Sequence, residues 1–386
     1  MAKRTRKNND HPTAEPVDVK KLTEQDRRTF TRLVDLADGV VSAADTRKDP
    51  ALDIPARTLS NVHYNQKKRI IEMGKGSNRR HLFNLSQAKA YMQTLLIAQG
   101  ARKLIAQGKT TSLRGMFYMS KHSIEGTKED TFDGQEESDN MIEDLEVTIN
   151  SLREELHLYA KNAGAMVGEI TLVDSGDTID CTRMGSGGYS IPSICEPEIV
   201  QFRKHNAKFI LHVEKDTVWR RFNEDKFWRT HKCILTHGGG QPPRGVRRLL
   251  HRMHHELKLP VYCLLDNDPW GYYIYSVIKQ GSINLAYESR RMAIPEARFL
   301  GLRSIDFDRC GLSNSVKINL NDTDRKRARQ IANYPWFAHK KDWQKEIKQL
   351  LDNGFKLEVE ALISKDISYV TEEYTPQRLK DKDWLD

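Results

Sequence analysis

Long hydrophobic runs are missing from this sequence of 386 residues, in which 38% of the residues are hydrophobic and 30% are charged. No stretch combines the length and apolarity of a membrane-spanning helix. The chain starts with Met-Ala-Lys-Arg-Thr-Arg-Lys, which is polar and lacks the apolar segment of a secretory leader. We therefore expect an intracellular protein without membrane contact, and its length suits two or three domains with their own cores.

Cysteine is scarce as well, because the chain has 5 scattered cysteines and no C-x-x-C pair. This pattern argues against a disulfide framework and against a thiolate zinc site. Buried, reduced thiols are expected at Cys181, Cys195, Cys233, Cys263 and Cys310.

The sequence also lacks the P-loop pattern G-x-x-x-x-G-K-[ST], and the glycine run that starts at Gly238 has no lysine in the required place. We therefore expect that the chain does not bind ATP by itself. Positive charge is in excess, since 62 Lys and Arg residues against 53 Asp and Glu residues give a formal net charge of +9. This balance favours a polyanionic partner.

Residues 1–72 are polar and rich in charge, and they form the first predicted region, an N-terminal extension. An amphipathic helix is expected from Leu22 to Leu36, followed by a proline-containing linker from Asp45 to Arg57. The basic cluster Lys3-Arg4-Arg6-Lys7 suits either a phosphate backbone or a solvated chain end, and the second interpretation is favoured.

Three helices followed by a hairpin are predicted in the second region, residues 73–183. The expected elements are helices at Asn84–Gln107 (capped by Ser86 and ended by Gly108), within Lys109–His122, and at Asn140–Tyr159, then strands at Glu169–Val173 and Thr178–Thr182. This order is that of a winged-helix domain, and basic residues on the second helix are typical of DNA-binding proteins.

Strands alternate with helices after a Gly-, Ser- and Pro-rich connection at residues 184–205. The expected strands are Phe209–Val213, Cys233–Thr236 and Val261–Leu265, and the expected helices are Asp216–Phe227, Arg244–Leu257 and Gly271–Lys279. This spacing predicts a parallel sheet with helices on both faces in residues 206–386, with a mostly helical C-terminal region. The predicted fold class is therefore α/β plus α+β.

Three carboxylates follow the predicted strands, with Glu214 after the first strand and Asp266 and Asp268 after the third. The ends of parallel strands share one sheet edge, so the three side chains are expected to converge there. Such oxygen ligands suit Mg²⁺ better than zinc. Each acid taken alone is better explained as a helix cap or a solvated side chain, but the equivalent positions of all three favour a metal site.

Tyr118 is the candidate nucleophile, because it lies four residues after Arg114 and shares a helix face with it. A tyrosine oxygen can attack a phosphodiester, and a nearby guanidinium favours the phenolate and binds phosphate. Spacing alone favours the alternative, in which Tyr118 is only an interfacial aromatic side chain.

Other basic side chains are candidates for DNA contact. They are Lys109, Lys121 and His122 around Tyr118, and Arg244, Arg247 and Arg248 on a later helix. His251, His254 and His255 share a face of that later helix, and a basic surface explains them better than a metal site. The glycine loop at residues 237–240 suits either a phosphate cradle or a simple turn.

The motifs together resemble the family of topoisomerase VI A subunits. Val213-Glu214-Lys215-Asp216, the glycine loop and the run from Leu265 to Tyr275 are similar to its Toprim signature, and Thr111–Tyr118 is similar to its nucleophile motif. The resemblance covers about residues 75–380, and the meiotic double-strand-break transesterase shares the two motifs.

The resemblance implies roles for the candidate residues. Tyr118 corresponds to the nucleophile that forms a 5′-phosphotyrosyl link, Arg114 supports it, and Glu214, Asp266 and Asp268 correspond to the Mg²⁺-binding acids. Three positions depart from the family pattern, namely Gly115 in place of an acid, Asn267 in place of a small residue and Trp270 in place of tyrosine. We expect Asn267 to point away from the metal.

The implied protein is the DNA-cleaving and religating A subunit of an ATP-hydrolysing type II (type IIB) topoisomerase, with a CAP-like winged-helix domain before a Toprim domain. It would act on double-stranded DNA as a homodimer, with a separate GHKL-type ATPase B subunit in an A2B2 assembly. It would be cytoplasmic at the nucleoid of a prokaryote, or nuclear in a eukaryote. The alternatives are a transesterase without strand passage, a Toprim nuclease that hydrolyses DNA, and a winged-helix DNA-binding regulator.

Overall fold

A computed structural model describes residues 22–386, so the basic cluster Lys3-Arg4-Arg6-Lys7 lies outside the described residues. The chain divides into two compact units. The helical unit contains the described residues up to Ile54 together with Arg79–Tyr159, and the sheet unit contains Pro55–Asn78 and Ala160–Asp386. Within residues 22–386, none of the helices has the length and apolar character needed to cross a membrane.

The first part of the chain is mainly helical. Its elements are α1 (Glu24–Asp45), β1 (Ala51–Pro55), β2 (Val62–Asn65), β3 (Ile70–Met73), β4 (Ser77–His81), α2 (Leu85–Gln107), β5 (Thr111–Ser112), α3 (Leu113–Ser120), α4 (Gln135–Ile149) and β6 (Leu158–Tyr159). Strand β1 pairs with β4, β2 with β3, and β5 with β6. The linker prediction for residues 45–57 is therefore wrong, because that segment contains β1.

The capping residues explain where the helices of the helical unit start and stop. Helix α2 begins after Asn84, whose side chain accepts a hydrogen bond from the Ser86 N–H, so Asn84 and not Ser86 is the cap. It ends at Gly108, which has a left-handed φ of 58°. Helix α4 lies several residues earlier than predicted, because Asn150 adopts a left-handed conformation and ends it.

Apolar side chains from four helices form the core of the helical unit. They include Phe30 and Leu33 from α1, Ile97, Ala101 and Ile105 from α2, Met116 and Phe117 from α3, and Ile142 and Leu145 from α4. Helix α3 buries only one side against these residues, since Tyr118 and Met119 remain exposed. The opposite side of this short helix is therefore exposed to solvent and can present a reactive side chain.

The sheet unit begins with strands and continues with alternating elements. Its elements after residue 160 are β7 (Ala165–Gly168), β8 (Ile170–Asp174), β9 (Asp177–Asp180), β10 (Tyr189–Ser190), β11 (Val200–His205), β12 (Phe209–Val213), α5 (Asp216–Glu224), α6 (Phe227–Thr230), β13 (Cys233–His237), α7 (Arg244–Leu257), β14 (Val261–Leu264), α8 (Pro269–Gln280), α9 (Ser289–Met292), β15 (Arg298–Phe299), α10 (Asp306–Arg309), β16 (Ile318–Asn319), α11 (Asp322–Ala332), α12 (Pro335–Ala338), α13 (Lys341–Asn353), β17 (Phe355–Lys356) and α14 (Thr375–Asp381). The mostly helical C-terminal region is confirmed.

The main sheet has the strand order β10-β7-β13-β12-β14-β15. Strands β13, β12, β14 and β15 are parallel, whereas β7 runs antiparallel to both of its neighbours, β13 and β10. Side chains alternate between two core clusters, with Ile210 of β12 on one face and Leu211 on the other. Helices α7 and α8 contribute to the first cluster, and α5 and α6 to the second. The predicted mixed α/β fold with parallel strands and helices on both faces is confirmed.

The predicted hairpin exists as β8 and β9, joined by Ser175 and Gly176, which both have positive φ as a tight hairpin turn requires. Its other partner is β11, and the three strands belong to the sheet unit. The compact units therefore meet in sequence at residues 159/160, whereas the predicted boundary was residue 183. Residues 184–205 are not a free connection, because they contain β10 and β11.

The five cysteines are buried free thiols, as predicted. Burial raises the pKa of Cys181 and of Cys263 to about 12. These thiols are therefore protonated and unreactive at neutral pH.

Candidate active site

The parallel pairing of β12 and β14 brings two of the predicted acids together. Val213 pairs with Leu264, so that Glu214 and Asp266 follow at the same edge of the sheet. The Glu214 Oε2 atom accepts a hydrogen bond of 3.0 Å from the Asp266 N–H. The structure thus places Glu214 beside Asp266, and these are two of the three side chains that were expected to converge.

Asp266 is held on both of its oxygens. Its Oδ1 accepts a 2.7 Å hydrogen bond from the Val359 N–H, and its Oδ2 lies 2.9 Å from the Lys215 Nζ. Asp268 caps helix α8, since its Oδ1 accepts a hydrogen bond from the Gly271 N–H. The helix-cap alternative therefore applies to one oxygen of Asp268, while its Oδ2 lies 3.9 Å from the Lys356 Nζ.

Burial makes negative charge costly at this edge. It raises the pKa of Glu214 to about 8, with a further contribution from the charge of Asp266, and it raises the pKa of Asp266 to about 6. It also raises the pKa of Asp268. Burial lowers the pKa of Lys215, but Asp266 and Glu358 outweigh it and hold this pKa above its usual value. The site therefore favours additional positive charge.

A divalent cation fits the chemistry of these oxygen donors, which are hard ligands in a crowded anionic environment. Within residues 22–386, however, no group of three His, Cys, Asp or Glu side chains is close enough to form a ready-made metal site. Lys215 supplies positive charge to Asp266 in this arrangement, and its Nζ also lies 3.0 Å from Glu358 Oε2 and 3.2 Å from Glu360 Oε2. Sequence reasoning missed this pairing, although alternating acids in the segment after β17 were a signal for it.

Asn267 points away from the acids, as predicted. Its Nδ2 donates hydrogen bonds to Tyr272 OH at 2.6 Å and to Glu346 Oε1 at 3.1 Å. The same Glu346 oxygen accepts hydrogen bonds from Tyr272 OH and from the N–H and Oγ of Ser304. This buried network lies directly behind the acids, and no sequence motif indicated Glu346.

Tyr118 and Arg114 share an outward face of α3, as the spacing predicted. Tyr118 is 60% exposed, and its hydroxyl accepts a 3.3 Å hydrogen bond from Arg114 Nη2. The guanidinium also lies 5.7 Å from the centre of the Tyr118 ring. Helix α3 starts directly before them, because the Ser112 Oγ accepts a 2.9 Å hydrogen bond from the Gly115 N–H.

Gly115, a departure from the family pattern, has a steric explanation. A Cβ at this position would lie 2.2 Å from Thr111 Oγ1 and 3.3 Å from Ser112 Oγ. The first turn of α3 therefore has no space for a larger residue unless the Thr111 side chain moves.

The basic candidates divide into two groups. Lys109 and His122 are exposed, and Lys121 lies 3.4 Å from Asp130 Oδ2, so a polyanion can reach this group. Arg244 and Arg247 are instead buried against Glu288, at 2.6 Å and 3.3 Å.

The structure does not favour the expectation that Arg244, Arg247 and Arg248 contact DNA, because carboxylates of the fold pair with all three. Arg248 lies 2.6 Å from Glu196. The positions of basic residues in the sequence do not reveal which of them have acidic partners inside the fold.

His251 of α7 and the glycine loop at residues 237–240 have structural roles in the fold. Burial lowers the pKa of His251 to about 4, and its Nδ1 contacts the Ala293 carbonyl oxygen at 2.8 Å, so it adds no charge to a basic surface at neutral pH. The Gly240 N–H donates a 2.8 Å hydrogen bond to the Glu214 carbonyl. The glycine loop is thus a turn that holds the main chain of Glu214 in place.

Comparison with known families gives three consecutive matches. Residues 89–158 match the family described as type IIB DNA topoisomerase, and residues 162–206 match the all-beta domain in DNA topoisomerase VI alpha subunit. Residues 209–379 match the Toprim domain of the topoisomerase 6 A subunit and Spo11. Tyr118 lies in the first matched segment, and the three acids lie in the third.

Similar proteins match along nearly the whole chain. The A subunit of type 2 DNA topoisomerase 6 from Pyrococcus horikoshii is 37% identical over 370 residues, which cover 94% of this chain and 96% of that protein. The protein of the same name from Sulfurisphaera tokodaii is 37% identical, with 95% and 96% covered. The A3 subunit of DNA topoisomerase 6 from Oryza sativa subsp. indica is 33% identical, with 86% and 73% covered.

Proposed function

The chain belongs to the family of topoisomerase VI A subunits, and from this premise we propose that it cleaves and religates DNA as the A subunit of an ATP-dependent type IIB topoisomerase. The observation that carries the proposal is the exposed Tyr118 hydroxyl with the Arg114 guanidinium 3.3 Å away. Both side chains stand on a helix that is capped directly before them.

Tyr118 is the nucleophile in this proposal. Its phenolic oxygen attacks the phosphorus of a DNA phosphodiester, so that a 5′-phosphotyrosyl bond forms while the bond to the 3′ oxygen breaks and that oxygen gains a proton. The Arg114 guanidinium donates a hydrogen bond to the Tyr118 hydroxyl and binds the phosphate oxygens. Because one phosphoester bond replaces another, the attack of the 3′ hydroxyl can reverse the reaction and restore the strand.

Glu214, Asp266 and Asp268 are the residues that would hold a divalent cation, for which we propose Mg²⁺. When bound, the ion supplies positive charge beside the phosphate oxygens. The chain contributes the rest of the site through its own contacts. Hydrogen bonds from the Val359 and Gly271 N–H groups orient the carboxylates, and Lys215 limits the repulsion around Asp266.

The proposed assembly contains two copies of this chain and two copies of a GHKL-type ATPase B subunit. Two copies supply two Tyr118 nucleophiles, one for each DNA strand, and thus a transient double-strand break. The relatives are named as A subunits, which supports a separate partner protein. Lys109, Lys121 and His122, which surround Tyr118 in sequence, remain the proposed DNA contacts of the helical unit.

The decisive experiment compares Tyr118→Phe with the unchanged chain, each with the partner ATPase, supercoiled DNA, Mg²⁺ and ATP. After quenching with denaturant, the unchanged chain should carry protein on 5′ ends, and Tyr118→Phe should carry none. Tyr159→Phe is the matched control, because Tyr159 is also an exposed tyrosine of the helical unit, at 39% exposure. It should retain cleavage.

Four results would contradict the proposal. Covalent complexes that persist in Tyr118→Phe would exclude Tyr118 as the nucleophile. Free 5′ ends in both proteins would indicate a Toprim nuclease, and binding without cleavage in the unchanged chain would indicate a DNA-binding regulator. Cleavage without relaxation would indicate a transesterase that does not pass strands.

A further inference from the structure

We propose that helix α11 and the start of helix α8 form a binding surface for the phosphate backbone of duplex DNA beside the acids. This inference rests on the proposed function and adds a DNA contact that the sequence motifs did not indicate. The α11 surface is defined by five residues, Lys326, Arg327, Arg329, Trp270 and Tyr273.

Among the described residues, the basic side chains on the outward part of α11 lack carboxylate partners, whereas the arginines of α7 are paired with carboxylates. Within residues 22–386, no carboxylate forms an ion pair with Lys326, Arg327 or Arg329, and Lys326 and Arg329 are exposed. The acids of α11 lie at its start. Asp324 is buried and paired with Lys356 at 3.0 Å, which leaves Asp322 as the exposed acid of the helix. The outward part of α11 is therefore cationic and available to a polyanion.

Arg327 is already held in place without a ligand. Its guanidinium lies 4.5 Å from the centre of the Trp270 ring and 4.7 Å from that of the Tyr273 ring. Trp270 is nevertheless 39% exposed. Because a guanidinium held against aromatic rings keeps its N–H donors and loses less freedom on binding, it suits a phosphate better than an unrestrained lysine does.

The location of the α11 surface fits a duplex that reaches the acids. Trp270 follows the capping residue Asp268 by two positions at the start of α8, and Lys356 lies between Asp324 of α11 and Asp268. Helix α11 is roughly 16 Å long, and duplex DNA carries one charge per roughly 1.7 Å of its axis. A backbone with one phosphate near the acids therefore has further phosphates within reach of α11.

The test measures binding of a fluorescent duplex at several NaCl concentrations in EDTA, with Tyr118→Phe as the background so that cleavage contributes nothing. The variant Lys326→Ala/Arg327→Ala/Arg329→Ala should weaken binding about tenfold or more, and the slope of log K against log salt should become shallower by about 2 to 3. An unchanged slope would overturn the inference.

The matched control is Arg203→Ala/Lys204→Ala/Lys208→Ala, which removes three exposed cations at and after β11. These residues precede the first residue of β12, at the opposite end of that strand from Glu214. The control should leave the slope unchanged, and an equal loss in both triple variants would overturn the assignment to α11. Thermal unfolding of both variants verifies that each is folded.

Trp270→Ala tests the restraint on Arg327 separately. It removes no charge, so affinity should fall about threefold while the salt slope stays the same. Unchanged affinity would overturn the role of Trp270. A chain that binds DNA through α11 but never cleaves it contradicts only the proposed function, whereas cleavage with an unchanged slope in the triple variant contradicts only this inference.

Discussion

Tyr118 is 60% exposed, and its hydroxyl accepts a hydrogen bond from Arg114, which lies one helical turn earlier. Asp266 is 3% exposed, and it is held by Lys215 from the end of the neighbouring strand and by the Val359 N–H, which lies 93 residues later in the chain. The candidate nucleophile is thus positioned by its own helix. The candidate acids depend on parts of the sheet unit that are distant in sequence.

This difference has a physical origin. The hydroxyl of Tyr118 keeps its hydration at the surface, so exposure costs little. Neighbouring carboxylates at a buried edge repel each other and lose hydration, so they need donors and a cation around them. The sheet unit should therefore respond to single substitutions more strongly than the surface of α3.

The largest expected effect is a loss of DNA cleavage when one of the acids of the sheet unit is replaced. Asp266→Ala should reduce Mg²⁺-supported cleavage by about 10²–10³-fold, because it removes a proposed ligand and releases Lys215. Duplex binding should persist, since no cation is lost. Covalent complexes on 5′ ends and fluorescence anisotropy measure the two properties.

Glu358→Ala is the control for Asp266→Ala, since Glu358 contacts the same Lys215 ammonium but is about half exposed. It should retain cleavage. Unchanged cleavage in Asp266→Ala would remove Asp266 from the proposed site.

The next largest effect is a loss of protein stability when the buried hydrogen-bond network of Glu346 is disrupted. Glu346→Ala should lower the free energy of unfolding by about 3–4 kcal/mol, because it leaves donors of Asn267, Tyr272 and Ser304 unpaired inside the protein. Urea denaturation measures the change. Tyr118→Phe is the comparison, and it should stay within about 0.5 kcal/mol of the parent. Similar values for the two variants would contradict the contrast between the two regions.

Acid should weaken the sheet unit through His251. Its pKa is about 4 in the folded protein, lowered by burial, whereas an unfolded histidine has a pKa of about 6.5. The unfolded state thus binds more protons between these values, so the contribution of about 3 kcal/mol is complete above pH 6.5 and is lost as the pH falls to 4. In thermal unfolding at several pH values, the melting temperature of His251→Gln should fall less steeply with decreasing pH than that of the unchanged protein. An equal dependence on pH in the two proteins would contradict this role of His251.

The smallest expected effect is a change in protein stability at helix α3, which carries Tyr118. Gly115→Ala should destabilise the protein by about 1 kcal/mol, because the contact with Thr111 Oγ1 outweighs the helix propensity of alanine. The double variant Thr111→Ala/Gly115→Ala should regain this loss in thermal unfolding. A stabilising Gly115→Ala would show that the first turn of α3 tolerates a side chain.

Much of the fold followed from patterns that are local in sequence. The apolar runs at β12, β13 and β14 and the helices α2 and α7 were predicted to within a few residues. Strands β7 and β10 were missed, because they are short and their pairing with distant strands leaves no periodic signal. The hairpin of β8 and β9 was correct as a local structure, but its pairing with β11 could not be read from its own residues.

The candidate site shows the same limit. Glu214, Asp266 and the Arg114–Tyr118 pair could be predicted, since strand ends and helical spacing place them. Glu346 and Glu358 could not, because their partners lie far away in the chain. The same reason explains why the ion pair of Arg244 was not predicted, since nothing near it in the sequence reveals Glu288.

The sequence by itself determined the elements and the reactive residue types, because side-chain period, caps and turn residues act over a few positions. Only the tertiary structure decided which charges are free and which are paired inside the fold. It placed Arg244 and Arg247 against Glu288 and left Lys326 and Arg329 of α11 exposed. The physical reason is that the energy of a charge depends on its burial and on its neighbours, and both are set by contacts between residues that are distant in sequence.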